Sequence, residues 1–479
     1  MVQKENTGLI NQTGKSGWKK SALGIAAAIV GGIIVYLIMP DVLANNARAL
    51  AGIFVAVLVL WITEALPAGL VALVSLALTP LFGVYADMKS ATVGFYGFVP
   101  YFVIASFILS FAVEKSGVGR RFALWLLSKT GTRSKIAVLV FMFGTAITSA
   151  IMSDVPSCAI WMSLAMPILN NLNVTVGKSN LGKALMIGIP VAALIGGVAT
   201  PAGSSINILA LQVLKTTGNM DITFLQWMAL GVPMFLIMTV VAWWVLVHVF
   251  KPEVDTIGDV SMYQQQHKDL GKWSSSEIKT IVIMAIALFF WVASSWIKGL
   301  DISMVAILAA GAMMLPGMNL FKWSEAEGYI GWSTFLVIGA VTSLGLATVS
   351  TGLSAWVVQN VLSGLGSLSL IAITLIIGIF TVFIHIPIPI NPAIITAILP
   401  PMIILAQDTG VNPAIYALPI AFTTSVAFML PLDSVTLVTY SKGYYTMRDM
   451  ILPGAIISLI WVGVMTVVTL TIAPMLGFM

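Results

Sequence analysis

The chain has 479 residues, 59% of them hydrophobic and only 9% charged, with a mean hydropathy of +1.02 and a formal net charge of +5. No water-soluble domain of this length reads so apolar, and runs of about 18 or more apolar residues, each a candidate bilayer span, recur along it. The positive charges lie in short loops, which speaks against a nucleic-acid surface, and a single cysteine, Cys158, excludes an internal disulfide and reads as a packed thiol.

Residues 1–21 are polar and lysine-bearing, and an apolar run from Ala22 to Met39 follows. That run is long for the core of a signal peptide and more spans follow it, so it reads as a retained first helix. The stretch Gly8 to Ser16, GLINQTGKS, is not a phosphate loop: it has one residue too many before GKS, and no strand precedes it.

Hydropathy predicts spans near 22–39, 50–63, 66–82, 98–113, 182–199, 224–250, 278–297, 303–317, 333–361, 411–430 and 450–474. Two further stretches, 136–170 and 369–407, are too long for one crossing and carry polar breaks at their middles. They predict re-entrant hairpins that enter and leave on the same side. The densest break is Ile384 to Pro401, IHIPIPINPAIITAILPP, with five prolines around His385 and Asn391. Proline removes a backbone donor, and irregular backbone survives at membrane depth only where protein or a cavity lines it. With the N-terminus cytoplasmic, only Arg48, Lys89, Lys215 and Lys298 of the 23 Lys and Arg fall outside. The C-terminus then lies outside.

Phe102 to Gly117 (FVIASFILSFAVEKSG) parallels Val337 to Gly352 (VIGAVTSLGLATVSTG), and each copy is followed by a broken hairpin and a broken helix. The expectation is an all-α polytopic membrane protein, eleven transmembrane helices plus two re-entrant hairpins in an inverted-topology repeat. Its parts are an N-terminal segment with the first helix (1–49), a first repeat (50–250), a cytoplasmic connecting loop (251–277) and a second repeat (278–479).

Four breaks recur in matched pairs: Ser153-Asp154-Val155-Pro156 with Ile390-Asn391-Pro392, and Ala199 to Ser205 with Leu430 to Ser434. Each frees helix N-termini whose unpaired N–H groups suit an anion, and Ser204, Ser205 and Ser434 add hydroxyls. A lone buried Ser or Asn more often bonds a neighbouring carbonyl; the pairing of the breaks tips the reading toward a ligand. Almost no Lys or Arg lies at membrane depth. Asp154 and Asp433 are expensive there and functional by default. Beside a dianion they must be protonated, or paired with a cation or with His385; a structural Asp433–His385 pair and a proton-coupling role stand as alternatives. Glu64 and Glu114, near span ends, read as interfacial.

Several segments resemble, in order and over nearly the whole chain, the divalent anion/sodium symporter family: WITEALPAGLVALVSLALTPLFGV (Trp61 to Val84), FVIASFILSFAVEKSGVGRRFAL, GGVATPAGSSINILAL (Gly196 to Leu211) and FMLPLDSVTLVTYSKG (Phe428 to Gly443). The resemblance implies a homodimer with scaffold and transport domains and elevator-type alternating access for di- or tricarboxylates. In the family, hairpin tips carry Ser-Asn-Thr, which bind substrate carboxylates and help coordinate sodium. Here the first tip, Ser153-Asp154-Val155, keeps only the serine, and the second, Ile390-Asn391-Pro392, only the asparagine. At the later break, Asp433-Ser434-Val435 stands where the family has Ala-Thr-Pro. These departures resemble the family's sodium-independent exchangers.

The expectation is therefore a sodium-independent exchanger of C4 and C5 dicarboxylates (malate, succinate, 2-oxoglutarate) in the cytoplasmic membrane, in contact with lipid, without metal or cofactor. Ser153, Asp154, Val155, Gly203, Ser204, Asn391, Pro392, Ser434 and Val435 are the expected substrate residues, with Asp154, Asp433 and His385 compensating charge. The alternative is a symporter coupled to sodium or to protons. An enzyme finds no support, since H-E-x-x-H and G-x-S-x-G are both missing and two of three histidines, His248 and His267, fall at a span end and in a loop.

Overall fold

The computed structural model describes residues 15–258, 261–388 and 390–478. The polar segment 1–14, most of the GLINQTGKS stretch and Pro389 of the second tip lie outside the described residues.

Among the described residues the architecture is helical, with one isolated antiparallel bridge, Arg133 to Thr256. The apolar runs condense into α1 (Lys15–Ile38), α2 (Asn45–Thr63), α3 (Ala68–Leu81), α4 (Met88–Ala91), α5 (Val99–Ser116), α6 (Val118–Ser128), α7 (Ser134–Met152), α8 (Asp154–Asn171), α9 (Asn180–Gly197), α10 (Ser205–Gly218) and α11 (Phe224–Val249). After α12 (Ser261–Asp269) come α13 (Ser275–Ala293), α14 (Ile302–Ala312), α15 (Trp323–Glu327), α16 (Trp332–Ser350), α17 (Leu353–Val357), α18 (Leu370–Ile384), α19 (Asn391–Asp408), α20 (Pro413–Thr424), α21 (Ser434–Tyr440) and α22 (Met447–Ile472). Among the described residues, nine helices are long and apolar enough to cross a bilayer: α1, α2, α5, α7, α9, α11, α13, α16 and α22. α3, α14, α18 and α20 are apolar but shorter. Ile29, Ile33, Ile34, Leu37 and Ile38 of α1 are exposed, which is stable only where the solvent is lipid.

One expected span divides. The run 333–361 is helical only to Ser350; Gly352 then takes φ +77°, a conformation that a side chain disfavours, and a short helix leaves at a new angle. Gly117 does the same at φ +85° between α5 and α6. These glycines close the two parallel segments read in the sequence, so both copies end in the same helix–glycine–short helix corner.

The hairpin arms α7 and α8 lie side by side: the Trp161 ring meets Phe141 edge-on at 5.6 Å, and its Nε1 donates to Thr148 Oγ1 at 3.1 Å. Gly144 makes this possible, since a methyl there would lie 2.0 Å from the Trp161 ring. The arms of the second stretch diverge. α18 packs on α20 and α22, whereas α19 packs on α10, α16 and α20.

Most helix contacts fall within two groups, α1–α5 with α13–α16 and α7–α11 with α18–α22, and the seam between them is crossed chiefly where α16 packs on α19. The connecting loop is pinned rather than free: Arg121 of α6 bonds Glu277 through Nε (2.5 Å) and Nη2 (3.0 Å), donates to the carbonyls of Leu270, Gly271 and Lys272, and stacks over Trp273. A buried guanidinium with nearly all donors used holds its partners in one geometry. Sequence reading took Arg121 only as one more inside charge.

Candidate functional site

Two of the four breaks interrupt hairpins and two interrupt a helix, and each ends where a new helix begins. α8 starts at Asp154, α10 at Ser205, α19 at Asn391 and α21 at Ser434. All four first residues line one cavity of about 400 Å³, within the range of small-molecule sites. The prolines sit where they do least harm: Pro156 and Pro392 fall in the first turn of α8 and α19, where the missing N–H has no helical partner to lose.

The first tip is a single residue. Ser153 has φ +78° and ψ +161°, backbone that is almost confined to glycine and costs about 1–3 kcal/mol for other residues. Such strain persists only where the surroundings impose it, and here it turns α7 into α8 with no loop. Beside it the carboxyl of Asp154, 9% exposed, accepts from Ser149 Oγ at 2.5 Å, and that same hydroxyl lies 2.7 Å from the Ala193 carbonyl. Gly197 leaves room for it, because a Cβ there would lie 2.2 Å from Asp154 Oδ1.

The break after α9 is held by Asn207, whose Nδ2 donates to the carbonyls of Gly197 (2.8 Å) and Thr200 (2.9 Å) while its Oδ1 accepts from Ser425 (3.1 Å). Thr200 Oγ1 donates to the Ala150 carbonyl at 2.7 Å, and Trp227 Nε1 to that of Val198 at 2.9 Å. Backbone freed by the break is thus satisfied inside the protein, as a nonaqueous surround demands. The break before α21 is closed by Asp433, whose Oδ1 caps the helix at the Val435 N–H (2.8 Å) and whose Oδ2 accepts from Asn391 Nδ2 (3.1 Å). Both aspartates therefore stand at helix N-termini, where a negative charge is favoured.

Of the expected substrate residues, Ser153, Asp154, Val155, Ser204, Asn391, Pro392, Ser434 and Val435 line the cavity. Gly203 does not. It lies behind Ser204, where a Cβ would come within 2.5 Å of the Gly197 carbonyl, so it serves the close approach of two backbone segments. His385 is buried away from the cavity, its Nε2 3.4 Å from the Thr423 carbonyl, and no ion pair joins it to Asp433. Cys158 is buried with its thiol 3.5 Å from the Val435 carbonyl. Glu64 and Glu114 are exposed, and Glu114 accepts from Tyr329 at 2.7 Å.

The opposite wall comes from the other helix group: Ala68 of α3, Val103, Ser106, Phe107 and Ser110 of α5, and Ser333, Thr334 and Val337 of α16. Ser110 Oγ donates to the Met152 carbonyl at the end of α7 at 2.6 Å, directly across the seam. Sequence reading missed these hydroxyls, although α5 and α16 are the repeat it had aligned. A serine in an otherwise apolar span was the available signal, but the side it faces is set by packing. Among the described lining residues there is no Lys, Arg or His.

The family model described as "Sodium:sulfate symporter transmembrane region" matches residues 18–479. The sodium-dependent dicarboxylate transporter SdcS of Staphylococcus saprophyticus is 24% identical over 92% of this chain and 89% of its own length. The Na(+)/citrate cotransporter of Rattus norvegicus is 23% identical over 88% of this chain and 89% of its own. A protein of Cupriavidus necator described only as "Membrane protein" is 27% identical, over 86% and 84%. The crystal structure of the Alcanivorax borkumensis YdaH transporter matches with a TM-score of 0.53 at 12% identity, covering 78% of this chain and 86% of that one, a likeness of fold alone.

Proposed function

Since the chain belongs to the sodium:sulfate symporter family of membrane transporters, we propose that it carries C4 and C5 dicarboxylates such as malate, succinate and 2-oxoglutarate, by sodium-independent exchange. The observation that carries this reading is the convergence of four helix starts, with hydroxyls from both helix groups, on one cavity that has no lysine or arginine among its described lining residues. A carboxylate there meets N–H dipoles and hydroxyls in place of a fixed cation, a grip weak enough to release. Two relatives named for dicarboxylate and citrate transport support the substrate class.

The altered tips support the coupling. Val155, Ile390 and Pro392 offer no side-chain oxygen to a sodium ion, which needs several converging oxygens. The mechanism is an elevator: α7–α11 with α18–α22 carry both tips and both broken helices as one body, while α1–α5 with α13–α16 form the fixed wall of a homodimer. The repeats are inverted, the N-terminus is cytoplasmic, the C-terminus lies outside, and eleven helices with two hairpins meet the bilayer.

The test is uptake of labelled 2-oxoglutarate into proteoliposomes, with or without internal malate, in sodium or in choline. Uptake that needs internal malate and ignores sodium is expected. Uptake that needs sodium without internal substrate overturns exchange and establishes cation-coupled symport, the second reading, which the relatives' names and the two buried aspartates favour.

A further inference from the structure

A smaller cavity of about 20 Å³, room for one water, lies on the far side of the Asn391–Asp433 pair. His385, Asn391, Asp433 and Ser458 line it, together with the unwound segment 426–430. Three buried polar atoms of these residues, His385 Nδ1, Asn391 Oδ1 and Ser458 Oγ, have no partner among the described residues. Buried polar atoms without a partner are costly and call for an occupant.

Hydrogen-bond arithmetic specifies the occupant. His385 Nε2 faces the Thr423 carbonyl at 3.4 Å, and a carbonyl only accepts, so Nε2 carries the proton and Nδ1 is a bare acceptor. Asn391 donates through Nδ2 to Asp433, which leaves its Oδ1 as a second bare acceptor. A water supplies two donors for these acceptors and accepts from the Ser458 hydroxyl, so one molecule has the hydrogen-bonding capacity that all three need. A sodium ion, a hard cation, would take the oxygens but is poorly served by the softer imidazole nitrogen.

We infer that His385, the water seated beside it and Asp433 form a proton-binding site linked to the substrate cavity. This rests on the dicarboxylate reading above. A proton from solvent adds to the lone pair of Nδ1, which turns from acceptor to donor; the water reverses and donates toward Asp433. No bond breaks apart from the proton's bond to its solvent carrier. The imidazolium then offsets the Asp433 carboxylate, which lines both cavities, so a dianion enters a site with one less unbalanced charge. Asp433, on the break before α21, is the titratable residue lining the small cavity with His385. The packed elements α19, α20 and α22 present Asn391, Thr423 and Ser458, which carry no charge. Asp154 faces only the large cavity. Linkage is reciprocal: a proton at His385 tightens substrate, and substrate tightens the proton.

The experiment uses His385→Gln in the full chain, since glutamine keeps a donor toward Thr423 but cannot take the proton. In wild-type proteoliposomes the KM for 2-oxoglutarate rises with pH, by up to about tenfold per unit for one linked proton, with kcat little changed. In H385Q the KM is flat with pH. A wild-type pH profile retained by H385Q overturns the inference. The second readout needs no transport: the protein has three histidines, and the ¹⁵N-histidine spectrum of solubilised protein, assigned with H385Q, reports the tautomer. A neutral His385 protonated at Nε2 that gains a proton between pH 8 and 4 is expected. A neutral Nδ1–H tautomer, or no titration in that range, overturns the inference whether or not a dicarboxylate moves. A titrating His385 in a protein that binds no dicarboxylate sinks the substrate reading and leaves the proton site standing.

Discussion

At the first tip one residue, Ser153, turns the chain, and the arms on either side pack against each other through Trp161. At the second tip six residues, 385–390, join α18 to α19, and the arms part, sharing only α20 as a main neighbour. The first tip stores its cost in one backbone angle; the second begins and ends at ordinary angles, His385 at φ −64° and Ile390 at φ −101°. Both nevertheless deliver a helix start and a hydrogen-bonded side chain to the same cavity: Ser149 serves Asp154, and Asn391 serves Asp433. The difference shows what matters at this site. The helix end must be delivered, and the route is open. The wider second tip also leaves room for the His385 cavity.

The sharpest way to break the comparison is Gly144→Ala. Its methyl would sit 2.0 Å from a ring locked by Thr148 and Phe141, so a loss of about 3 kcal/mol or more in thermal unfolding is expected, with transport abolished. Gly378→Ala on α18 meets only the ends of Val462 and Met465 of α22, at 2.8 and 2.9 Å, and costs about 1 kcal/mol. Equal losses would show that α18 is fitted to α22 as closely as α8 is to α7.

Asn391→Leu and Ser149→Ala each remove the side-chain donor of one buried aspartate. A loss of about 2 kcal/mol from each, with a raised KM, is expected in unfolding and uptake assays. A loss at only one site would mean that the other carboxyl is served from within the cavity.

The smallest effects carry opposite signs. Ser153→Gly removes about 1–3 kcal/mol of strain against about 0.5–1 kcal/mol of added chain entropy, so unfolding should shift up by about 1 kcal/mol while uptake falls with the lost hydroxyl. Ile390→Gly relieves nothing and should destabilise by about 0.5–1 kcal/mol. A destabilised S153G would mean that Ser153 is not strained in solution.

Much of this was legible in the chain. Each expected span overlaps a helix, although 303–317, 333–361 and 411–430 run past their helices' ends, and the breaks fall at Ser153, at Thr200 to Ser204, in the 385–390 region and before Asp433, because proline, glycine and hydropathy act on near neighbours. The run 333–361 misled because an apolar stretch does not show that Gly352 will take a positive φ. Gly203 misled for a related reason: a glycine just before two candidate serines reads as a binding backbone until Gly197 is seen packed against it.

By itself, the sequence determined the helical class, the membrane solvent and the four interruptions, all properties of a few consecutive residues. Only the tertiary structure decided that Ser106, Ser110, Ser333 and Thr334 face the same cavity as the tips, that Asn207 closes the first broken helix, and that His385 stands behind Asp433 instead of against it. Those outcomes depend on how each helix is rotated against partners that lie up to hundreds of residues away. Hydropathy sets the length of a span, but close packing sets which way its few polar atoms point.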